Sequence, residues 1–171
     1  MATYKLPMPT YHHGSLRGAI LEAAARMIEK DGIEGLSIRE AARRAGVSHN
    51  APYRHFPDRD ALLTALAADG MAKLLKELAG RSGRELAEAY VRFALSRPQL
   101  FRVMFAGRRW PQLQAHFEEA FASVGSAGAA AAWSLVHGLA CLILDGNLER
   151  DEAAWARVIG AMRLAVAQRS A

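Results

Sequence analysis

The stretch SIREAARRAGVSHNAPYRHFPDR, residues 37–59, decides the predicted fold of this chain. Ser37 and Glu40 have the S-x-x-E spacing of a capping box, in which a hydroxyl and a carboxylate accept hydrogen bonds from free amides at a helix start. Gly46 can adopt the left-handed conformation that ends such a helix, and Ser48 can cap a second one. Two short helices joined by a tight glycine turn predict a helix-turn-helix.

The predicted second helix is almost entirely polar or cationic. Its side chains are those of His49, Asn50, Ala51, Tyr53, Arg54 and His55. After Glu40, the next acidic residue is Asp58. Because a solvated helix face ordinarily mixes charges of both signs, this composition indicates a surface that faces an anion such as DNA. Phe56 is expected in the core, where it anchors the exit of this helix.

The composition is that of a folded protein of one domain, or of two small domains that share a core. The chain has 171 residues, of which 51% are hydrophobic, and this argues against disorder. The net charge of +5 is compatible with a polyanionic partner but does not establish one. A single cysteine, Cys141, excludes an intramolecular disulfide and suits a reducing compartment, so we expect a cytoplasmic protein.

Neither a signal peptide nor a membrane span is expected. Residues 1–12 lack the apolar segment of a signal peptide. The longest apolar run, residues 127–144, is interrupted by Ser134, His137 and two glycines. We therefore interpret this run as a buried helix of a protein without a membrane partner.

The charge is unevenly distributed along the chain. Residues 37–57 carry four arginines against Glu40 alone, and residues 81–110 carry seven arginines against two glutamates. Residues 111–149 have four acids and neither lysine nor arginine. A basic front and an acidic, apolar back favour a DNA face with a separate regulatory or dimerising half.

Apolar residues recur at helical spacing throughout the chain. Gly32, the Pro57-Asp58 pair and Pro98 mark helix boundaries. Beyond the helix-turn-helix, the predicted helices cover about 15–31, 58–78, 85–96, 98–106, 112–124, 128–145 and 152–168. No window alternates with period two for long enough to predict a strand. The fold class is all-α.

Several stretches resemble the TetR family of bacterial transcriptional regulators. In the first part they are HHGSLRGAILEAAARMIEKDG (12–32), LSIREAARRAGVS (36–48) and YRHFPDRDAL (53–62). The runs RPQLFRVMF (97–105) and AWSLVHGLACLILDG (132–146) resemble the branch with a WHG-type C-terminal domain. The resemblance implies a DNA-binding domain of three helices over residues 1–58. It assigns residues 59–171 to a helical effector-binding and dimerisation domain.

The resemblance also implies which residues contact DNA. The base-contact positions are Arg39, His49, Asn50 and Ala51. The phosphate-contact positions are Tyr53, His55 and Arg59. These side chains suit the roles, because arginine can pair with guanine, asparagine with adenine and a methyl group with thymine. The alternatives are that Arg39 is merely a solvated surface residue and that His55 packs between helices.

In the second half, the resemblance implies an effector pocket among aromatic and sulfur-containing side chains. The candidate pocket residues are Tyr90, Phe101, Met104, Phe105, Trp110, Phe117, Trp133 and His137. His116 is a second polar candidate. The alternative for each apolar residue is an ordinary core position, and for His137 a hydrogen-bonded core histidine. The implied effector is a small apolar or aromatic molecule.

The last two predicted helices carry more apolar surface than a monomer should bury. The resemblance assigns them to a homodimer interface formed by Leu135, Leu139, Leu142, Ile143, Val158 and Met162. A dimer suits a palindromic DNA operator, since a single recognition helix gives little specificity. Burial in the core of a monomer is the alternative for individual residues.

The sequence therefore predicts a ligand-responsive regulator that binds double-stranded DNA, a repressor released by its effector. The alternative function is a helical small-molecule-binding or adaptor protein without specific DNA binding. No enzyme motif is present, and no cofactor is implied. No metal site is expected, because His137 and Cys141 provide only two ligands at i,i+4 spacing.

Overall fold

The computed structural model describes residues 13–48 and 52–167, and within these ranges the chain is helical without strands. The described helices are α1 (His13–Asp31), α2 (Ile38–Arg44), α3 (Arg59–Leu78), α4 (Gly83–Ser96), α5 (Pro98–Phe105), α6 (Pro111–Ala120), α7 (Gly125–Leu144) and α8 (Glu152–Ala167). Two short 3₁₀ turns lie at Pro52–Arg54 and Ala122–Val124. The all-α prediction is confirmed.

Glycines end the first two helices as predicted. Gly32 has a φ of 75°, and its N–H donates to the carbonyl of Ile28 at 2.9 Å. Gly46 has a φ of 70°, and its N–H donates to the carbonyl of Arg43 at 3.1 Å, while the N–H of Val47 reaches back to Ala42 at 3.0 Å. This pair of bonds is a Schellman motif, which only a left-handed residue such as glycine closes easily.

Asp58 and Pro98 start later helices as predicted, and α6 begins at Pro111, one residue before its predicted start. The Oδ1 atom of Asp58 accepts the N–H of Ala61 at 2.7 Å, so Asp58 caps α3. Pro98 and Pro111 lie in the first turns of α5 and α6. A missing N–H costs little there, because the first-turn amides have no partner within the helix.

The predicted capping box at α2 is wrong. Ser37 is the N-cap residue with an extended backbone, but its side chain makes no cap hydrogen bond. The carboxylate of Glu40 instead accepts hydrogen bonds from Arg43 at 2.7 Å and from Arg44 at 2.8 Å. Two guanidinium groups one turn away outcompete a neutral amide for the carboxylate. Their hydrogen bonds lower the pKa of Glu40 to about 2.

Contacts divide the chain into two units, one ending at Leu66 and the other beginning at Ala67. The division falls within α3, further along the chain than the predicted boundary after residue 58. In the first unit, α1 and the Pro52–Arg54 turn pack against α2. Ala41 and Ala42 are fully buried, and their small side chains permit a close helix crossing.

In the second unit, α7 is the central helix. It packs against α4, α6 and α8, and α4 also contacts α5 and α8. One face of α7 is buried, at Ala129, Val136, Leu139, Ala140 and Ile143. Leucine and isoleucine side chains from α7 therefore contribute to the core of this unit.

The prediction that residues 127–144 form a buried helix holds for one face of α7 only. An 18-residue window of α7 has a mean hydropathy of 1.8, and 33% of it is buried. Length and composition would allow α7 to cross a membrane, but a helix in the core of a soluble protein passes the same test. The exposed remainder is apolar surface that the fold of one chain leaves uncovered.

Candidate DNA interface and effector site

The exposed face of α2 carries a guanidinium without a partner. Among the described residues, Arg39 is exposed and has no hydrogen bond or ion pair. Arg43 and Arg44 are both held by Glu40, and Arg44 also forms an ion pair with Asp31 at 3.2 Å. Arg39 is thus the arginine of α2 whose donors are available to another molecule.

A surface depression of about 520 Å³ lies along this face. It is lined by Ser37, Arg39, Glu40, Arg43 and Val47. The acid among its lining residues is already occupied by hydrogen bonds from arginines. The depression therefore presents Arg39 on a concave surface of the first unit.

The described part of the predicted second helix is a short 3₁₀ turn. His49, Asn50 and Ala51, three of the four predicted base-contact residues, lie outside the described residues. The prediction of an α-helix through His55 is wrong at its end, because the turn stops at Arg54 and is closed by hydrogen bonds from His55 and Phe56 to the carbonyl of Pro52. Pro57 disfavours a helical conformation at the residue before it.

Phe56 anchors the end of this turn in the core, as predicted. Its ring is 1% exposed, and the guanidinium carbon of Arg17 lies 5.5 Å from the ring centroid. The half-buried ring of His55 lies 6.3 Å from that of Phe56. Tyr53 is 40% exposed, and Arg54 is exposed without a hydrogen bond or ion pair among the described residues. Three polar side chains that can donate to phosphate thus follow one another along this turn.

Arg59, a predicted phosphate contact, is directed into the protein. Its Nη2 atom donates to the carbonyl of Ile33 at 2.6 Å, and its Nε atom donates to that of Leu36 at 3.3 Å. Both acceptors lie in the loop between α1 and α2. No sequence signal pointed to this contact, because the three residues are brought together only by the fold.

In the second unit, six of the eight predicted pocket residues form one connected set of rings, which we call the aromatic cluster: Tyr90, Phe101, Phe105, Phe117, Trp133 and His137. Ring centroids lie 5.7 Å apart between Tyr90 and Phe101, 4.5 Å between Phe105 and His137, and 6.0 Å between Phe117 and Trp133. These separations are typical of favourable aromatic pairs.

The remaining two predicted pocket residues are joined to each other. The Nε1 atom of Trp110 donates to the backbone carbonyl of Met104 at 2.8 Å. Met104 is fully buried. Its sulfur atom would lie 2.8 Å from a Cβ placed on Gly70, so α3 passes close to α5 at this point. Nothing in the spacing of the residues indicates this close approach.

The predicted pocket residues differ in their exposure. Tyr90, Phe101, Met104 and Phe117 are buried, as in an ordinary core. Phe105, Trp110, Trp133 and His137 are half-buried. The half-buried side chains form the part of this region that another molecule can reach.

Three side chains of the aromatic cluster form a chain of hydrogen bonds in which each group donates to the next. The indole N–H of Trp133 can only donate, and it donates to the hydroxyl oxygen of Tyr90 at 3.3 Å. The Tyr90 hydroxyl therefore has its own proton available for the Nδ1 atom of His137, at 2.9 Å. This assignment puts the His137 proton on Nε2, which lies 3.6 Å from the Cys141 sulfur.

Burial keeps the members of this chain neutral. It raises the pKa of the Tyr90 hydroxyl and that of the Cys141 thiol. Burial also lowers the pKa of the His137 imidazole. A neutral His137 is the form that can accept the Tyr90 proton, so the hydrogen bonds and the pKa shift agree. His137 is thus a hydrogen-bonded histidine with one half-buried edge.

His116 on α6 has a different environment. Its Nε2 atom is buried and has no hydrogen bond partner among the described residues. Buried polar atoms are nearly always paired. The Nε2 atom of His116 therefore has hydrogen-bonding capacity that the described residues do not use.

The arginines of residues 81–110 are used within the second unit. Four of the seven form ion pairs with acids: Arg84 with Glu88, Arg92 with Glu88 and Glu152, Arg97 with Glu77, and Arg102 with Asp145. Arg81 and Arg108 donate to backbone carbonyls. In the described part of the chain, only Arg109 of this set has no such partner. Six of the seven arginines therefore have donors engaged by partners within the second unit.

The six predicted dimer residues fall into two groups. Leu139 and Ile143 are buried in the unit's own core, and Met162 is half-buried. Leu135, Leu142 and Val158 are between 38% and 46% exposed, as is Leu148, which the sequence did not indicate. Leu135 and Leu142 are seven residues apart and lie on one face of α7. We refer to the four exposed residues Leu135, Leu142, Leu148 and Val158 together as the leucine face.

Comparisons with known proteins agree with the geometry of both units. Residues 20–66 match the family model described as bacterial regulatory proteins, tetR family. Residues 84–169 match the model described as tetracyclin repressor-like, C-terminal domain. Together the two models cover the helix-turn-helix and almost all of the second unit.

Three individual proteins illustrate the likeness. The chain is 35% identical to a protein with unknown function from Rhodococcus sp. RHA1, with 93% of this chain and 97% of that chain covered and a TM-score of 0.71. It is 32% identical over 100 residues to the HTH-type transcriptional repressor Rv3405c of Mycobacterium tuberculosis. This match covers 52% of this chain and 53% of the repressor. A TetR variant from Acinetobacter baumannii AYE in complex with minocycline is 21% identical, covers 90% of this chain and 97% of its own, and has a TM-score of 0.66.

The curated relatives are matched over part of their length only. The chain spans about a third to about half of the curated relatives it matches. The structural neighbours, in contrast, are matched almost from end to end. Members of the matched family are regulators of transcription that bind DNA and are not enzymes. The chain belongs to the TetR family of bacterial transcriptional regulators.

Proposed function

We propose that this chain is a cytoplasmic repressor that binds a palindromic DNA operator as a homodimer and leaves it when a small apolar or aromatic molecule binds. The observation that carries DNA binding is the exposed polar face of the first unit. There, Arg39 and Arg54 have no hydrogen bond or ion pair among the described residues. A guanidinium with all of its donors free suits a two-point contact to guanine or to a phosphate.

The roles on this face follow from side-chain chemistry. Arg39 contacts bases, together with His49, Asn50 and Ala51 of the predicted recognition helix. Tyr53 and His55 contact phosphates, since an exposed hydroxyl and a half-buried imidazole can both donate to a phosphate oxygen. The phosphate contacts fix the register, and the base contacts provide the sequence preference.

The leucine face is the proposed dimer interface. Leu135, Leu142, Leu148 and Val158 expose apolar surface that burial against a second copy would remove from water. In a dimer, two recognition elements about 34–36 Å apart would meet successive major grooves of a palindrome. Leu139 and Ile143 support this interface from beneath rather than by direct contact.

The half-buried edge of the aromatic cluster is the proposed effector site. Phe105, Trp133 and His137 supply ring faces, and His116 supplies a buried nitrogen that lacks a partner among the described residues. Flat apolar walls with few polar groups suit an aromatic effector. The effector would gain affinity from ring contacts and direction from the free nitrogen of His116.

Helix α3 is the proposed route of the response. It begins next to the DNA-binding residues and, at Gly70, lies against Met104 and Leu100. An added Cβ would approach the Met104 sulfur to 2.8 Å, so α5 cannot move toward α3 at this point without displacing it. The effector must bind the released state more tightly than the DNA-bound state, because equal affinities would change nothing.

The test begins with DNA selection. The full chain selects duplexes from a random library, and fluorescence anisotropy measures its affinity and stoichiometry on the selected duplex in the presence of random competitor. We expect saturable binding with two protomers on each palindrome, and weaker binding as N-phenyl-1-naphthylamine, an uncharged aromatic probe, is added. Phe105→Ala should reduce the effect of the probe but leave DNA affinity in its absence unchanged.

The same experiment addresses the alternative function. Binding that random competitor and moderate salt abolish equally on every duplex would contradict a specific regulator and favour a helical adaptor protein. Specific binding that no apolar probe changes would contradict the effector site alone.

A further inference from the structure

The side chain of Arg59 connects two segments of the first unit that are distant in sequence. Its Nη2 atom donates to the carbonyl of Ile33 at 2.6 Å, and its Nε atom donates to that of Leu36 at 3.3 Å. Both carbonyls belong to the loop that leads into α2. A planar guanidinium can hold two acceptors in fixed directions, which the single ammonium of lysine cannot.

Both ends of this connection are fixed. Asp58 accepts the N–H of Ala61 at 2.7 Å and so sets the first turn of α3, from which Arg59 projects. On the other side, the carbonyl of Ile33 also accepts the N–H of Leu36 at 3.1 Å. The Leu36 side chain is buried. Arg59 thus joins a capped helix start to a loop that is anchored in the core.

The loop lies close against the end of α1, and it leads directly to the DNA face. Gly35 lies so close to Asp31 that a Cβ at Gly35 would be 2.9 Å from the Asp31 Cβ. Ser37 follows as the N-cap of α2, and Arg39 is the second residue of that helix. The position of the loop therefore sets the direction in which Arg39 projects.

We infer that Arg59 is a positioning residue for DNA recognition, which holds the loop before α2 against the first turn of α3 and so places Arg39. This role rests on the DNA binding proposed above. It differs from the phosphate contact that the sequence implies, since the guanidinium donates to carbonyls inside the protein. A positioning residue affects the discrimination between sequences, whereas a phosphate contact affects all DNA alike.

The experiment compares the full-length wild type with Arg59→Met, and uses Arg54→Met as the matched control. Arg54 is exposed and has no hydrogen bond or ion pair among the described residues, so it represents an arginine that is free to contact phosphate. Anisotropy measures affinity over a range of salt concentrations, on the duplex that the wild type selects and on a random duplex. Circular dichroism fixes a temperature at which every variant is folded, and Arg59→Lys replaces Arg59→Met if the latter does not fold.

We expect Arg59→Met to bind the selected duplex about tenfold more weakly, as removal of a charged hydrogen bond would give. Its affinity for the random duplex and its salt dependence should not change. Arg59→Lys should also reduce discrimination, because lysine keeps the charge but not the fork. Arg54→Met should weaken binding to both duplexes and reduce the log–log salt slope by about 0.9 for each phosphate that the variant no longer neutralises.

Three results would overturn this role. Equal weakening on both duplexes with a smaller salt slope would make Arg59 a phosphate contact. Unchanged binding by the folded variant would limit Arg59 to stability. A wild type that selects no duplex would overturn the proposed function together with this role, and so is distinguishable from the first two results.

Discussion

Two arginine-rich regions of this protein, residues 37–57 and residues 81–110, differ in whether their guanidinium groups have partners within the fold. On the first unit, Arg39 and Arg54 are exposed and, among the described residues, have no hydrogen bond or ion pair. On the second unit, Arg92 forms ion pairs with Glu88 and Glu152 and lies 5.5 Å from the ring centroid of Trp155. Charge density along the sequence is high in both regions. Among the described residues, two of the four arginines in residues 37–57 lack a hydrogen bond or ion pair, against one of the seven in residues 81–110. The two regions therefore differ in the donors that the fold leaves free.

The aromatic cluster continues this contrast. Its hydroxyl, indole and imidazole groups are bonded to one another, from Trp133 through Tyr90 to His137. Such a region contributes stability and shape, whereas the free donors of the first unit are available for the proposed DNA binding. Substitutions can separate these two contributions, beginning with the largest expected effect.

The largest effect is expected in the aromatic cluster. Phe117 is 1% exposed and contacts the rings of Tyr90, Phe121 and Trp133. Phe117→Ala should lower the free energy of unfolding by about 3–5 kcal/mol, because it removes buried apolar surface and leaves a cavity. Urea denaturation followed by circular dichroism measures the decrease. A decrease below about 1 kcal/mol would show that the cluster is loosely packed.

The next effect concerns DNA binding and compares the two arginine-rich regions directly. Arg39→Ala should weaken binding to the selected duplex by about 1–3 kcal/mol, the range for removal of a two-point contact to a base. Arg92→Ala is the matched control and should leave the DNA affinity unchanged. Anisotropy titrations at one salt concentration suffice. A larger effect of Arg92→Ala than of Arg39→Ala would reverse the assignment of the two regions.

The hydrogen-bond chain gives a prediction of intermediate size. Tyr90→Phe removes the hydroxyl that joins Trp133 to His137, and so leaves two partly buried groups without their partner. The free energy of unfolding should fall by about 1–3 kcal/mol. Trp133→Phe removes only the donor at one end and should cost less. A neutral effect of Tyr90→Phe would mean that the chain does not form in solution.

The smallest effects involve titration and exposed ion pairs. Burial lowers the pKa of His137 below its usual value near 6.5. The unfolded chain then binds a proton at a higher pH than the folded chain, so this group destabilises the fold as pH falls below about 6.5, by at most about 1.4 kcal/mol for each pH unit. The shift should be absent in His137→Asn, which urea denaturation at several pH values can check. A wild type with the pH profile of His137→Asn would contradict the burial of the neutral imidazole.

Loss of one carboxylate partner of Arg92 is expected to have little effect on stability or on DNA affinity. Glu152→Gln removes the closer carboxylate partner of Arg92, whose side chain is 53% exposed. The cost should be below about 1 kcal/mol, because exposed ion pairs contribute little. DNA affinity should not rise, even though Arg92 loses one of its two carboxylate partners. A tighter complex would show that any free arginine on this protein can contact DNA.

The sequence predicted helix ends accurately where local chemistry sets them. Gly32, Gly46, Asp58 and Pro98 each act through their own backbone or side chain, and each lies at the expected end of a helix. The core position of Phe56 was also predictable, since burial removes its large apolar ring from water while the cationic residues around it stay solvated.

The sequence did not predict the hydrogen-bond partner of a side chain for which several partners were possible. Glu40 bonds Arg43 and Arg44 rather than the N-terminus of α2, although both options are local. Arg59 and Arg92 find partners that are distant in the sequence, and spacing alone cannot indicate such contacts. Spacing also could not show which apolar residues of α7 lie in the core and which are exposed, because apolar residues occur on all sides of this helix.

The contrast between the two arginine-rich regions can be tested most directly by hydrogen–deuterium exchange of the full chain, free and bound to the selected duplex. We expect slower exchange on binding within residues 37–59, and little change within residues 81–110. Protection concentrated in residues 81–110, with residues 37–59 unchanged, would contradict a DNA face on the first unit.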